Sequence, residues 1–504
     1  MGTLSETNPS LWVATTGGPA YPALAGEGAY DVAVVGAGIT GLSTALALVE
    51  AGATVVVLEA GRICSGVTGY TTAKVTSLHG LTYASAASSH GDDVARLYGE
   101  ANEAAIAQVA QWVERYAIEC DFTRRDAFTY TISTDQLESI TTEVEVARSL
   151  GLPASFTTDT DLPYEVAGAV RFENQAQFHP RAYCLGLAEA VVAGGGRIHE
   201  GTRVVDVEEE GPRCTLETEA GTVRAGQVVL ATHLPFLDRG GFFAKCHPTR
   251  SYALAARLSG PVPRGMYLSI DSPTRSVRAA QGDSVVILGG EGHKVGQDDD
   301  TRLRHSALEG WATETFDVES IDHRWSAQDH TSVDGLPFVG RQLPGSSVFV
   351  ATGFRKWGMS NGTAAAMVLA AEITRRENPW LVAFEATRQR GPLTSRDLLR
   401  ENVDVAKQFM GDRLTNLSPP PADDLASGEG GIVTLDGDKV AGFRDDDGSL
   451  HAVSPVCRHL GCLVSFNTAE RTWDCPCHGS RYTVDGQVIE GPGTQDLERR
   501  SPAP

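Results

Sequence analysis

Two short segments near the C-terminus carry paired cysteine and histidine residues. One residue separates Cys457 from His459, two separate Cys475 from His478, and fifteen lie between the two pairs. Thiolate sulfur and imidazole nitrogen are side-chain ligands of both zinc and iron. Structural zinc sites usually pair cysteine with cysteine and histidine with histidine. Because each half of this set mixes the two types, we favour a two-iron, two-sulfur cluster and keep zinc as the alternative.

The set resembles the ligands of Rieske [2Fe–2S] proteins, in which two thiolates hold one iron and two imidazoles hold the other. The neutral ligands raise the reduction potential to about −150 to +300 mV, and the centre exchanges single electrons. The resemblance implies a disulfide between Cys462 and Cys477 that joins the two cluster-binding loops. It also implies hydrogen bonds from Ser480 and Tyr482 to cluster and ligand sulfur. Residues 491–493 resemble the proline-containing loop that covers the cluster.

A second motif lies near the N-terminus. An apolar run of four residues precedes Gly36, Gly38 and Gly41 and a helix-like run, and a further apolar run is followed by Glu59. In a βαβ unit such glycines permit the tight turn, the close approach of a pyrophosphate and helix–strand packing. The acidic residue accepts hydrogen bonds from ribose hydroxyls. The pattern predicts a Rossmann-type dinucleotide site whose helix N-terminus faces the phosphates.

Further segments resemble FAD enzymes of the D-amino-acid oxidase and glycine oxidase superfamily. They are residues 178–180, 201–204, 228–233, 334–340 and 350–360. The resemblance covers roughly residues 10 to 385, and with the C-terminal motif the chain is similar to bacterial YhfW-type flavin-dependent oxidoreductases. It implies an α/β fold, a Rossmann-type FAD-binding domain with an inserted antiparallel-sheet substrate domain, followed by a small all-β Rieske domain. The last of these segments would lie beside the flavin ring.

The expected domain organisation follows from these motifs and from local composition. Apolar residues recur at helical spacing between residues 395 and 410, and residues 416–431 are rich in Pro, Asp, Ser and Gly. The expected units are an N-terminal extension (1–28), an FAD-dependent oxidoreductase domain (29–393), a helix and linker (394–427) and a Rieske domain (428–504).

Composition limits the classes of function. A chain of 504 residues is too long for one core, and its net charge of −22 argues against nucleic-acid partners. No apolar run is long enough to span a membrane, and the start of the chain lacks the pattern of a signal peptide. We therefore expect a cytoplasmic protein with no membrane partner. The remaining cysteines are expected to be reduced core thiols: Cys64, Cys120, Cys184, Cys214 and Cys246.

The resemblance implies FAD that is bound without a covalent link. Some relatives tether FAD through a histidine in the loop under the flavin ring, but this chain has Tyr70 there, and no cysteine lies near residues 353–360. The expected cofactor-binding residues are Gly36, Gly38, Ile39, Thr40, Gly41, Glu59, Ala60, Arg62, Gly66, Thr68, Gly69, Thr71, Thr72, Ala73, Lys74, Val204, Ala231, Thr232, His233, Gly353, Trp357, Gly358, Met359 and Ser360.

Two lysines are candidate catalytic residues. Lys74 follows the loop under the flavin ring, and Lys356 lies within the segment beside it. A positive charge near flavin N5 or N1 would stabilise anionic reduced flavin. A pyrophosphate contact or a surface ion pair is the alternative role for each lysine.

An arginine–tyrosine pair is the candidate for substrate binding. Arg250 and Tyr252 are two residues apart and would share one face of a strand. Arginine holds a carboxylate through two parallel hydrogen bonds, and such a pair commonly binds a substrate carboxylate. The alternative is a solvated rim. His293 and His330 are weaker candidates, because a lone histidine is more often structural.

These features predict a flavin-dependent dehydrogenase. An amine or amino-acid-like substrate would give a hydride to FAD, and electrons would pass singly through the cluster to a ferredoxin- or cytochrome-like carrier. In a first alternative, a ferredoxin-like donor feeds the cluster and FAD reduces an imine or enone. In a second, the protein is an amine oxidase whose Rieske domain is a redox sensor or docking module.

Overall fold

The computed structural model describes residues 8–296, 300–388 and 419–500. These residues form two large sheets and, in the C-terminal part, two small antiparallel sheets. None of their helices is long and apolar enough to cross a membrane. The predicted helix between residues 395 and 410 lies outside the described residues. In the described part of the predicted linker, a short 3-10 helix spans Ala422–Asp424.

The first large sheet contains the predicted βαβ unit. Its strands are β1 (Gly28–Val35), β2 (Val55–Leu58), β7 (Arg197–His199), β8 (Val204–Glu210), β9 (Arg213–Thr218), β10 (Gly221–Leu230), β16 (Phe338–Arg341) and β17 (Val348–Thr352). They run in the order β16-β17-β10-β1-β2-β7, and β9 and β8 continue from β10. β1 pairs in parallel with both β2 and β10. Strands covered on both faces are apolar throughout, which explains the two apolar runs around the glycine motif.

Helices cover this sheet and supply the largest core. The helices of the described residues are α1 (Leu11–Thr15), α2 (Ile39–Glu50), α3 (Thr82–His90), α4 (Asp92–Arg115), α5 (Leu137–Ser149), α6 (Pro180–Ala193), α7 (Phe242–Lys245), α8 (Arg302–Thr315), α9 (Gly358–Ile373) and α10 (Leu381–Phe384). α2 packs against α6 and α9. The N-terminal extension is not a separate tail, because α1 buries Leu11 and Trp12 and the Trp12 indole donates to the carbonyl oxygen of Thr71 (2.7 Å).

The second large sheet is the predicted substrate sheet. Its strands are β3 (Lys74–Val75), β4 (Thr123–Thr131), β5 (Ala154–Thr157), β6 (Gly168–Gln177), β11 (Cys246–Leu258), β12 (Met266–Ser269), β13 (Arg275–Ala280), β14 (Val285–Lys294) and β15 (Val318–Ser332). The order is β15-β11-β14-β13-β12-β4-β6-β3, with β5 beside β6. The pairs are antiparallel, as predicted, except that β12 and β4 run in parallel.

The C-terminal domain is all-β, which confirms the prediction. Its strands are β18 (Gly430–Leu435), β19 (Asp438–Arg444), β20 (Leu450–Val453), β21 (Ser465–Asn467), β22 (Thr472–Asp474), β23 (Arg481–Thr483) and β24 (Val488–Glu490). The first three and the last four form separate antiparallel sheets. Trp473 is fully buried in the core of this domain and packs against Phe466.

Four buried charges, here called the charge cluster, join the C-terminal domain to the substrate sheet. Arg250 of β11 binds Glu470 (Nη1–Oε2, 3.3 Å) and Asp474 (Nη2–Oδ2, 2.8 Å). Arg481 binds the same two carboxylates from within the C-terminal domain. Because two cations face two anions, each buried charge has partners of opposite sign, as burial of ionised groups requires.

The tight packing of α2 against its own glycine turn can be tested with a matched pair of glycines. A Cβ atom at Gly41 would lie 1.9 Å from the carbonyl oxygen of Gly36, whereas one at Gly310 of α8 would meet no heavy atom within 4 Å. We expect Gly41→Ala to cost at least about 1–3 kcal/mol. Gly310→Ala should gain up to about 1 kcal/mol from helix propensity. Thermal unfolding of both variants measures this, and equal midpoints would contradict the packing.

Removing Arg250 should loosen the contact between the domains. We expect Arg250→Met to destabilise the protein by about 3–5 kcal/mol, because both carboxylates stay buried with a single cation. Arg257 lies on the same strand and forms an exposed pair with Asp322 (Nε–Oδ2, 2.9 Å). Arg257→Met is the control and should cost about 0–1 kcal/mol. Chemical unfolding measures the difference, and comparable losses in the two variants would argue against the buried contact.

Candidate active site and iron–sulfur centre

A central cavity of about 1290 Å³ is lined by residues of both large sheets and of the C-terminal domain. Most of the predicted cofactor-binding residues line it: Gly36, Gly38, Ile39, Thr40, Glu59, Ala60, Arg62, Gly66, Thr68, Thr71, Thr72, Lys74, Val204, Ala231, Thr232, His233, Trp357, Gly358 and Met359. The structure therefore brings segments that are hundreds of residues apart in sequence to one site.

The glycine turn after β1 has the geometry of a dinucleotide site. Gly36 has a φ of +104°, and a Cβ there would lie 2.6 Å from the carbonyl oxygen of Ala231, so only glycine fits. The carboxylate of Glu59 accepts hydrogen bonds from the backbone N–H groups of Ala37 (2.7 Å) and Gly61 (2.8 Å). It stays on the cavity wall, where its remaining lone pairs can accept from ribose hydroxyls. The residues present therefore fit FAD.

Five predicted cofactor-binding residues lie behind the cavity wall instead of on it. A Cβ atom at Gly41 would meet the carbonyl oxygen of Gly36, and one at Gly69 would lie 2.2 Å from that of Cys64. These residues support the wall by close packing or hydrogen bonding, and none of them lines the cavity: Gly41, Gly69, Ala73, Gly353 and Ser360.

The two candidate lysines both line the cavity but differ in their partners. Lys74 is buried and its Nζ donates to the hydroxyl of Ser276. Burial, followed by the charge of Arg278, lowers the pKa of Lys74 to about 7. Burial also lowers the pKa of Lys356, but the carboxylate of Asp329 opposes that shift. Lys74 can therefore exchange a proton near neutral pH, whereas Lys356 has an anionic neighbour.

The structure corrects the expected Arg250–Tyr252 pair. Tyr252 lines the cavity, where its hydroxyl lies 3.0 Å from Nε2 of His293. Arg250 is 1% exposed, does not line the cavity and is committed to the charge cluster. The register of β11 against β15 runs without a break from Arg250 to Tyr252, so the alternation that the sequence argument assumed is kept, but Glu470 and Asp474 of the C-terminal domain cover the position of Arg250. Arg250 therefore holds the C-terminal domain, whereas Tyr252 lines the cavity.

The four predicted cluster ligands meet at one end of the C-terminal domain. The rings of His459 and His478 are 5.0 Å apart. Nδ1 of His459 is buried and has no hydrogen-bond partner among the described residues, as expected of a nitrogen that binds metal. The hydrogen bond between the two thiols lowers the pKa of Cys457 to about 6 and raises that of Cys475, so one sulfur of the pair ionises readily. Thiolate is the form that binds iron, so these side chains fit a [2Fe–2S] cluster.

The surroundings of the ligands also agree with the sequence analysis. Cys462 and Cys477 form the expected disulfide. The Tyr482 hydroxyl lies 3.3 Å from Sγ of Cys457, and the Ser480 hydroxyl also hydrogen-bonds to that sulfur. The remaining cysteines are buried and outside any disulfide, as expected: Cys64, Cys120, Cys184, Cys214 and Cys246.

A wall one side chain thick separates the ligand loop from the central cavity. Nε2 of His330 donates to the backbone oxygen of His478 (3.2 Å), and His330 also lines the cavity. Gln328 on the same strand donates to the backbone oxygen of Gly479 (2.7 Å), and Phe243 packs edge-on against the ring of His478. The sequence showed His330 only as a lone histidine, because its partner lies 148 residues away.

The C-terminal domain also reaches the cavity through an ion pair that the sequence analysis did not predict. Nδ1 of His233 donates to Oε1 of Glu490 (2.8 Å), and both side chains are mostly buried. Burial lowers the pKa of His233, but Glu490 and then Asp329 raise it, and the net shift is upward from 6.5. No local pattern could have indicated this pair, since its members are 257 residues apart.

This ion pair should make the stability of the protein depend on pH. A histidine whose pKa is raised on folding stabilises the protein below its unfolded pKa, and the contribution disappears as pH rises through the folded pKa. We expect the thermal midpoint of the wild type to fall relative to that of Glu490→Gln as the pH rises from about 6 through the unfolded pKa of histidine and above it. Thermal unfolding across that range measures it, and parallel curves would show that the pair is not ionised.

Comparison with known proteins agrees with this geometry. A family model described as DAO, FAD dependent oxidoreductase, matches residues 31–372, and one described as Rieske [2Fe-2S] domain matches residues 419–500. The Bacillus subtilis protein YhfW, whose name describes a Rieske 2Fe-2S iron-sulfur protein, is 36% identical over 499 residues, with 98% of each chain covered.

Two further proteins resemble the FAD-binding part. Gamma-glutamylputrescine oxidoreductase of Escherichia coli is 31% identical over 207 residues, which are 40% of this chain and 48% of that protein. The crystal structure of glycine oxidase from Geobacillus kaustophilus has the same fold, with a TM-score of 0.63 and 20% identity over 72% of this chain and 100% of that one. The chain therefore belongs to the DAO family of FAD dependent oxidoreductases and carries a C-terminal Rieske [2Fe-2S] domain.

Proposed function

We propose that the protein is a dehydrogenase that oxidises an amine or amino-acid-like substrate and delivers electrons one at a time to an external carrier. When bound, FAD would accept a hydride from the substrate carbon, and the Rieske cluster would exchange single electrons. The names of gamma-glutamylputrescine oxidoreductase and glycine oxidase support the amine class of substrate.

The observation that carries this proposal is the shared wall at His330. One face of this side chain lines the central cavity, and its Nε2 donates to the backbone of the cluster ligand His478. The charge cluster also holds the segment that carries His478, because Asp474 at the start of that segment is paired with Arg250. A redox module held this close gives electrons a route out of the cavity other than oxygen, which favours a dehydrogenase over an oxidase.

Polar residues of the cavity can handle the proton that an amine must lose. Burial lowers the pKa of Lys74 to about 7, so its neutral amine can take the proton of a substrate ammonium group near neutral pH. The neutral amine then loses a hydride from carbon and becomes an iminium ion, which water hydrolyses to a carbonyl compound and an amine or ammonium. Protonated Lys74 adds a positive charge to the cavity, and Tyr252 with His293 offers a hydrogen-bonding edge for the substrate.

We place the docking site of the carrier at the outer edge of the first ligand loop. Val456 and Leu460 are 38% and 50% exposed, although both are large and apolar, and His459 lies between them in sequence. Exposed apolar side chains beside a redox centre suit a small, transient electron-transfer interface. A ferredoxin- or cytochrome-like protein fits this description.

An anaerobic titration tests the direction of electron flow. Purified protein is mixed with secondary amines, N-methyl amino acids and D-amino acids, while absorbance follows the flavin and EPR follows the reduced Rieske centre. We expect an amine to bleach the flavin before the EPR signal grows. If no amine reduces the flavin but reduced ferredoxin reduces both centres, the protein is a reductase and the proposed direction is wrong.

Variants of a cluster ligand and of the shared wall distinguish the proposed dehydrogenase from an oxidase whose Rieske domain is only a sensor. In Cys457→Ser, which lacks a cluster ligand, the substrate should still bleach the flavin while reduction of the carrier is lost. Cys214→Ser, a buried cysteine of β9, is the matched control and should retain both activities. His330→Leu should slow the appearance of the EPR signal relative to bleaching. Fast peroxide production that is unchanged in Cys457→Ser would instead support the oxidase.

A further inference from the structure

A strand and loop of the Rieske domain, residues 488–494 and here called the cavity segment, reach into the central cavity. The residues of this segment that line the cavity are Val488, Ile489, Glu490, Gly491, Gly493 and Thr494. We propose that the cavity segment forms part of the FAD site, so that bound FAD and the docked Rieske domain stabilise each other. This goes beyond electron transfer and does not depend on its direction.

Two contacts anchor the cavity segment to the FAD-binding domain. Nη2 of Arg203 donates to the backbone oxygen of Val488 (3.3 Å), and Nδ1 of His233 donates to Glu490 (2.8 Å). His233 and Glu490 are only 15% and 14% exposed. A hydrogen-bonded pair shielded from water is worth more than the same pair at the surface. The segment is therefore held at a defined position on the cavity wall.

The anchors lie beside the dinucleotide turn, and the ring of His233 also packs edge-on against that of His330 (4.4 Å), so the cavity segment lies between the turn and the wall of the ligand loop. His233 comes two residues after Ala231, whose carbonyl oxygen abuts Gly36 of the turn. Arg203 precedes Val204 on the cavity wall and its charge acts on the carboxylate of Glu59, the predicted ribose ligand. Substrate-side residues such as Tyr252 belong to the other large sheet.

The chemistry of the segment suits a neighbouring pyrophosphate. Gly491 has no side chain, and a Cβ atom there would meet no other heavy atom closer than 4.0 Å, so its backbone is open to a ligand, whereas the backbone N–H of Gly493 donates to the Ser480 hydroxyl (2.9 Å). Arg203 offers the guanidinium that phosphate prefers. The negative charge of Glu490 would repel phosphate if it were unpaired, but His233 compensates it.

Reciprocity follows from this shared site. If the docked Rieske domain strengthens FAD binding by some factor, FAD must strengthen docking by the same factor. A ligand that binds only the docked form also slows local opening of the segments that it touches. FAD should therefore protect the cavity segment from hydrogen exchange, although that segment belongs to the domain of the other cofactor.

Hydrogen exchange on the full chain tests the contact directly. Protein that retains its cluster but is depleted of FAD is titrated with FAD, and exchange is followed by mass spectrometry. We expect protection of residues 488–494 that follows FAD occupancy. The β18–β19 hairpin of the same domain, which does not line the cavity, serves as the internal control and should not change. Absence of protection, or equal protection of the hairpin, would overturn the proposal.

Affinity measurements on variants test the anchor. Glu490→Ala removes the hydrogen bond to His233, whereas Glu490→Gln keeps an acceptor of the same shape. Asp485→Ala is the matched control, because Asp485 bonds His451 within the Rieske domain and does not line the cavity. By flavin fluorescence titration, we expect FAD to bind Glu490→Ala about fivefold or more weakly than the other two variants. Equal FAD affinity in all three variants would refute the coupling.

Discussion

The arrangement of the whole molecule depends on four charges buried between two domains. Each of Arg250, Arg481, Glu470 and Asp474 would be costly to bury alone, and together they cost far less because every charge faces opposite charges. Such a set tolerates little displacement, since any shift leaves a buried ion unpaired. The charge cluster therefore acts less as a source of stability than as a device that selects one orientation of the Rieske domain.

That orientation gives one domain two roles at the central cavity. Near the substrate sheet, the ligand loop meets His330, so the cluster lies behind a single side chain. Beside it, where the ring of His233 packs edge-on against that of His330 (4.4 Å), the segment from Val488 onwards closes part of the wall. Because both contacts belong to one rigid β domain, the electron route and the wall of the FAD site form or separate together. This links redox function to cofactor retention.

The sequence predicted what is local and missed what is distant. The glycine turn, the ligand pairs and the disulfide were predictable, because their geometry is set by a few neighbouring residues or by a known family pattern. The role predicted for Arg250 was wrong because it depends on residues that are distant in the sequence. Spacing along a strand indicates which face a side chain is on, but not what covers that face. Its partners Glu470 and Asp474 lie more than two hundred residues further along the chain.

The surroundings of the two sites bear on the direction of electron flow. Hydroxyls of Ser480 and Tyr482 hydrogen-bond to Cys457, which stabilises the reduced cluster and raises its potential. The neighbouring charge cluster has no net charge, so it does not cancel this effect. In the cavity, the helix dipole of α9 favours reduced flavin, but burial leaves Lys74 only partly charged and Asp329 offsets Lys356. These two lysines therefore add less positive charge to the cavity than unperturbed lysines would, which agrees with the proposed flow from the cavity to the cluster.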